Sequence, residues 1–157
     1  TEGKWYQPST GVVVTGLQTI DKNKYYFNAK GIMQTGFITL NDKLYFFSRV
    51  NGTLKTGWQE STEGKWYQTS SGVVVTGLQT IDKNKYYFND KGIMQTGFIR
   101  LNSILYFYSR VDGALKTGWQ SSTEGKWYQD ENGEVLTGTK IIDGVEYTFN
   151  ENGILIQ

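Results

Sequence analysis

Residues 1–61 and 62–122 of this chain agree at 51 of 61 aligned positions, and the opening TEGKWYQ returns at residues 123–129. A fixed period of this kind means that each copy repeats one supersecondary unit stacked on its neighbours, because a short unit cannot bury its apolar face alone. The long period is itself composite. The glycine of each Thr-Gly step falls at 16, 36, 57, 77, 97, 118 and 138, at spacings of 20 or 21. About eight short units therefore fill the 157 residues, and three of them make one long period.

Each short unit carries an aromatic run, a polar turn and a second apolar run. In residues 19–36, Tyr25-Tyr26-Phe27 is followed by Asn28-Ala29-Lys30-Gly31 and then by Ile32-Met33-Gln34-Thr35. Aromatic and β-branched runs around a Gly-terminated turn predict a β-hairpin, with the Thr-Gly step ending it and a polar connector such as QTIDKNK leading to the next. Helix signals are missing, so the chain is read as all-β: one repeat module over residues 1–157. Its hairpins are expected near 1–16, 17–36, 37–57, 58–77, 78–97, 98–118 and 119–138, with a C-terminal cap at 139–157. The cap follows from the divergence of the third copy after Asp130, since arrays need atypical terminal units. The pattern enters at mid-unit before Gly16, which leads us to expect that the natural protein continues upstream.

Aligning the units on their Thr-Gly steps gives three columns. The first aromatic of each unit is Trp5, Tyr25, Tyr45, Trp66, Tyr86, Tyr106, Trp127 or Tyr147. The residue after each Thr-Gly glycine is Leu17, Phe37, Trp58, Leu78, Phe98, Trp119 or Thr139. The third strand position is Gln7, Gln68 or Gln129 in the Trp units but Phe27, Phe47, Phe88, Tyr108 or Phe149 elsewhere. Period-two alternation puts Tyr26, Phe46, Tyr87 and Phe107 on the face opposite the first-aromatic column, where packing is the expectation.

Composition narrows the function. The absence of Cys and His removes disulfides, thiolate nucleophiles, the commonest metal ligand and the usual base of Ser and Cys hydrolases. No metal, cofactor or catalytic residue is expected, and the periodic Glu2, Glu63 and Glu124 are turn residues rather than halves of a glycosidase pair. Sixteen basic and 15 acidic residues give a net charge of +1 without clustering, which argues against nucleic acid. No apolar run is long enough to insert in a membrane. What stands out is the aromatic content of 15%: short repeats have little core each, so some rings should stay at the surface and mark binding.

The pattern G-W-x(7)-W-Y followed by G-x-[MVL]-x-T-G-[WF] resembles the cell-wall-binding repeats of choline-binding proteins of Gram-positive bacteria and their phages. It is also similar to the glucan-binding repeats of streptococcal glucosyltransferases and to the short C-terminal repeats of large clostridial toxins. The resemblance covers essentially the whole chain. It implies a left-handed β-solenoid with about three hairpins per turn, and a secreted or cell-surface module that binds choline on teichoic or lipoteichoic acids. In that family the ligand sits between hairpins in a cage of three aromatics. Carried over by column, this implies Trp58 with Trp66 and Tyr86, and Trp119 with Trp127 and Tyr147, with weaker slots at Phe37, Tyr45 and Trp66 and at Phe98, Tyr106 and Trp127. At Leu17 and Leu78 an aliphatic side chain replaces one wall.

Two other functions stay open at this point. The same fold could hold an α-glucan or host-cell oligosaccharide, since the TIDKNKYYFN segments resemble the toxin repeats. Alternatively, the array could be a spacer or assembly element whose exposed aromatics pack between chains as a homo-oligomer.

Overall fold

The computed structural model describes residues 3–9 and 11–157, so Glu2 lies outside the described residues. The chain divides into two compact units, residues 1–76 with 90–93, and residues 77–89 with 94–157. In the first unit β1 (Gly16–Ile20) pairs with β2 (Asn23–Phe27), and a short β3 (Met33–Gln34) adds to β2. There, β4 (Gly36–Leu40) pairs with β5 (Lys43–Phe47), and β6 (Gly57–Ser61) with β7 (Gly64–Gln68). In the second unit the antiparallel pairs are β8 (Gly77–Ile81) with β9 (Asn84–Phe88), and β10 (Gly97–Leu101) with β11 (Ile104–Tyr108). They continue with β12 (Gly118–Ser122) and β13 (Gly125–Gln129), then β14 (Gly138–Ile142) and β15 (Val145–Phe149). Among the described residues there is no helix, in keeping with the all-β repeat array read from the residues.

One expectation needs correcting. The polar stretch read as a connector is the tight hairpin itself. Gly16 to Ile20 run antiparallel to Asn23 to Phe27 around Asp21 and Lys22, whose φ values are 47° and 68°. Two successive residues at positive φ match the right-handed twist of the flanking strands, the usual two-residue hairpin solution. Asp82 and Lys83 repeat it at 47° and 70°. The Asn28–Gly31 turn does exist, closed by Gly31 N–H to Asn28 O (2.9 Å) and by Asn28 Oδ1 accepting from Lys30 N–H and Ile32 N–H. Past this turn the chain forms a short third arm rather than a full strand.

That third arm links the hairpins. Met33 N–H donates to Lys4 O, Leu54 N–H to Lys24 O and Val74 N–H to Leu44 O, at 2.7 to 2.8 Å, all in the first unit. In the second unit Leu115, Val135 and Leu155 make the same bond to Lys85, Leu105 and Lys126. Leu54, Val74, Leu115, Val135 and Leu155 thus reach back to the second strand of the hairpin before them, and Met33 to the stretch at Lys4, so within each unit neighbouring hairpins hold one another.

The core alternates accordingly. In the first unit Phe46, Trp66 and Val74 form a buried cluster with Phe37, Leu44 and Ile93 against it. Phe107, Trp127, Val135 and Leu105 repeat it in the second unit, with Phe98 and Ile154. Trp127 is only 1% exposed, and its ring centroid lies 5.0 Å from Phe98 and 4.4 Å from Phe107. Each such ring pair contributes roughly 0.5–1.5 kcal/mol beyond its area burial. Close approach depends on Gly125, at φ 127°: a Cβ there would stand 2.6 Å from Ile154 Cγ2, and Gly64 repeats the contact with Ile93. No helix among the described residues is long and apolar enough to cross a membrane.

Candidate functional site

Strand register decides which aromatics can meet. In the hairpin of β12 and β13, Trp119 lies opposite Tyr128 and Gln120 lies opposite Trp127. Because successive side chains leave opposite faces of a strand, Trp119 shares a face with Tyr128, and Trp127 projects from the other. The hairpin of β6 and β7 behaves alike, with Trp58 opposite Tyr67 and Trp66 on the far face. The trios implied by the resemblance are therefore divided: Trp58 and Trp66 do not share a face, and neither do Trp119 and Trp127. Each tight hairpin turn sets the register that divides them.

The rings that do meet around Trp119 come from two successive hairpins. Tyr128 stands 5.3 Å away, Tyr147 4.8 Å and Phe149 6.0 Å between ring centroids, the two tyrosines edge-on to the indole. Phe149 is buried beneath, while Trp119, Tyr128 and Tyr147 are half-buried. Over the face of Trp119 lies an ammonium: Lys126 Nζ is 4.3 Å from the ring centroid. In the first unit Trp58 meets Tyr67 at 5.3 Å, and Lys65 Nζ is 4.9 Å from its ring. Tyr86 belongs to the second unit, where it is buried against Phe88 at 6.4 Å.

The remaining expected site residues occupy a second kind of place. Phe37 is 5.0 Å from both Phe46 and Trp66, and Phe98 packs in the same way on Phe107 and Trp127, so these slots are filled by the protein's own rings. Trp66 and Trp127 are fixed there by a buried glutamine each. Gln129 accepts from Trp127 Nε1 (3.4 Å) and donates through Nε2 to Phe107 O (3.1 Å) and Gly133 O (2.8 Å); Gln68 repeats the set with Trp66. Tyr45 and Tyr106 face away from Phe37 and Phe98 and pack instead on Phe47 and Tyr108, at 6.5 and 6.4 Å.

Beside the filled slots run two shallow cavities in periodic positions. One of about 520 Å³ is lined by Phe37, Leu44, Glu63, Asp90, Lys91 and Ile93; the other, of about 310 Å³, by Phe98, Leu105, Glu124, Asn152 and Ile154. Arg110 holds Glu124 at the rim with two bonds of 3.0 Å, and Arg49 holds Glu63 at 2.8 Å. Both pairs are exposed and screened by solvent, so neither adds much to stability.

Tyr128, Tyr67 and the two lysines are the residues that reading by columns misses. The signal that could have found them is Asp143-Gly144, a tight-turn dipeptide in the stretch TIDKNK aligns with, which fixes the register of every hairpin. Chemically the arrangement offers ring faces, ring edges and hydroxyls. Among the described residues no group of three or more His, Cys, Asp or Glu is placed to hold a metal ion.

Residues 14–57 and 75–118 match the model of the choline-binding repeat, and this chain belongs to that family. No curated protein sequence matches it. Among solved structures, CbpJ from Streptococcus pneumoniae TIGR4 is similar at 26% identity over 98% of this chain and 56% of CbpJ, with a TM-score of 0.85. Choline binding protein F from Streptococcus pneumoniae, crystallised in the presence of a peptidoglycan analogue, shows 28% identity over 99% of this chain and 52% of its own, with a TM-score of 0.84. CbpF in complex with ipratropium gives 26% identity, coverage of 99% and 54%, and a TM-score of 0.82. The chain thus spans little more than half the length of these relatives, whose hairpin-repeat fold it shares.

Proposed function

We propose that this chain is a non-catalytic targeting module that binds choline carried on cell-wall polymers such as teichoic and lipoteichoic acids, on a secreted or surface-attached protein. The observation that carries the reading is the Trp119 box in a chain of the choline-binding repeat family: a half-buried indole flanked by Tyr128 and Tyr147, with a cation already seated 4.3 Å over its face. A quaternary ammonium donates no hydrogen bond and is best held by the negative faces of several rings, at ~0.5–2 kcal/mol per contact. Three such contacts give about 4 kcal/mol, or about 1 mM for one site. Repetition along a polymer raises retention through effective concentration. Ipratropium, the ligand of one CbpF structure, is itself a quaternary ammonium compound.

In this reading Trp119, Tyr128 and Tyr147 line one site, and in the first unit Trp58 and Tyr67 repeat the Trp119 and Tyr128 pair one period earlier. Trp66 and Trp127 act from behind as the packed support of the next slot, and Phe37 and Phe98 contribute the cavities beside it. Residues 139–157, where Thr139 replaces the aromatic, serve as the closing cap. Titration with choline and with a glycan panel, read by Trp fluorescence, tests the assignment. Choline in the millimolar range should change the emission, and Trp119→Ala should remove about half of that change. A response to glycans with none to choline would replace this function with carbohydrate binding.

A further inference from the structure

The lysines over Trp58 and Trp119 follow a rule within the molecule. Lys126 lies across from Ser121, which shares a strand face with Trp119 two residues earlier, so its side chain runs diagonally onto the indole. Lys65 does the same from opposite Glu60, and its ammonium stands farther from the ring, 4.9 Å against 4.3 Å. Where the ring after the Thr-Gly step is Phe37 or Phe98, the same diagonal position holds Leu44 or Leu105, and the slot is filled by Trp66 or Trp127. The position is also lysine beside Leu17 and Leu78, at Lys24 and Lys85, but at Trp58 and Trp119 the lysine has an indole face beneath its ammonium.

We propose that Lys126, and Lys65 in the equivalent slot, are built-in occupants of the ligand position and make the boxes selective for quaternary over primary ammonium groups. This rests on the choline reading above. A tethered ammonium competes at an effective concentration that a dissolved primary amine of the same kind does not match. A primary amine also gives up as much hydration as the lysine it replaces, since an alkylammonium is a compact, strongly hydrated charge. A trimethylammonium group is less strongly hydrated and brings methyl surface to Trp119, Tyr128 and Tyr147, so it displaces the lysine into solvent. A cation–π contact at an exposed site is worth about 0.5–1 kcal/mol, so removing the competitor should raise ligand affinity about three- to six-fold.

The test is Lys65→Gln with Lys126→Gln in the full chain, titrated with choline and with ethanolamine. The double variant should bind choline about three- to six-fold more tightly and gain a response to ethanolamine that the wild type lacks. In the ligand-free wild type the Lys126 side-chain methylene resonances should be shifted upfield by the indole and should return to solvent values as choline saturates the site. Equal or weaker choline binding by the variant, or unshifted Lys126 resonances, overturns the proposal while leaving the choline function standing. Absence of choline binding in both proteins overturns the function, and the lysine role with it.

Discussion

Replacing Gln129 by Leu removes three hydrogen bonds at once from a site with no access to water. The side chain is 0% exposed, and its amide serves Phe107 O at 3.1 Å, Gly133 O at 2.8 Å and Trp127 Nε1 at 3.4 Å. Leu fills a similar volume, so the loss is mainly that of leaving two carbonyls and one indole N–H buried without partners. Each orphaned group costs about 1–3 kcal/mol, and the long indole bond belongs at the low end, so the variant should lose about 3–5 kcal/mol. Urea unfolding followed by tryptophan emission would read this as a lowered midpoint with an unchanged slope. Gln120→Leu is the control: its Nε2 makes one bond, to Thr117 O at 3.0 Å, at an exposed position, and its loss should stay near 0.5 kcal/mol. If the two variants lose equal stability, or if Gln129→Leu loses less than about 1 kcal/mol, buried amide bonding is not what holds the Trp units together.

Tyr108→Phe should stabilise the protein by about 1 kcal/mol, because the buried Tyr108 hydroxyl has no hydrogen-bond partner and the other copy carries Phe47 at that position. Burial first, with Tyr106 and Tyr87 nearby, pushes the Tyr108 hydroxyl up to about 12 from 10.0. A raised pKa leaves stability intact below the unfolded value and removes it as pH rises from about 10 to about 12, so the wild type should weaken across that window more than the Phe variant in alkaline melts. Lys83→Gly should raise the melting temperature by roughly 1–4 °C, since Lys83 sits at φ 70° where Gly144 sits at 79° in the last hairpin, and a non-Gly residue there is strained. No change on calorimetry would mean that the turn at Asp82-Lys83 holds no strain.

The repeat and the all-β class were legible because turn glycines and alternating aromatics are local signals that the period repeats many times. The position of the tight turn was not. Gly31 draws the eye to the wider Asn28–Gly31 turn, whereas Asp21-Lys22 reaches the same backbone region without glycine, and only Asp143-Gly144 displays the usual dipeptide. That misplacement propagated into the site. With the strands paired around Asp21-Lys22 and its equivalents, Trp119 faces Tyr128 rather than Trp127, a fact of register that column alignment does not contain. The fate of Trp66 and Trp127 was hidden for another reason. Their burial depends on Phe46 and Phe107 of the preceding hairpin and on Gln68 and Gln129, which look polar and solvent-bound in one dimension.

The backward bonds of the third arm bear on how such a chain acquires its structure. Leu54 to Lys24, Val74 to Leu44, Leu115 to Lys85 and Val135 to Leu105 each close a loop of 30 residues, always toward the residue synthesised earlier. No bond in these series waits for a distant C-terminal segment. Contacts this close in sequence favour rapid folding. A chain emerging end-first from the ribosome can therefore lay each hairpin onto one already in place, within each unit, as soon as some thirty residues have cleared the exit. Growth of the array by duplication of the 61-residue block adds further steps of the same kind without lengthening any of them.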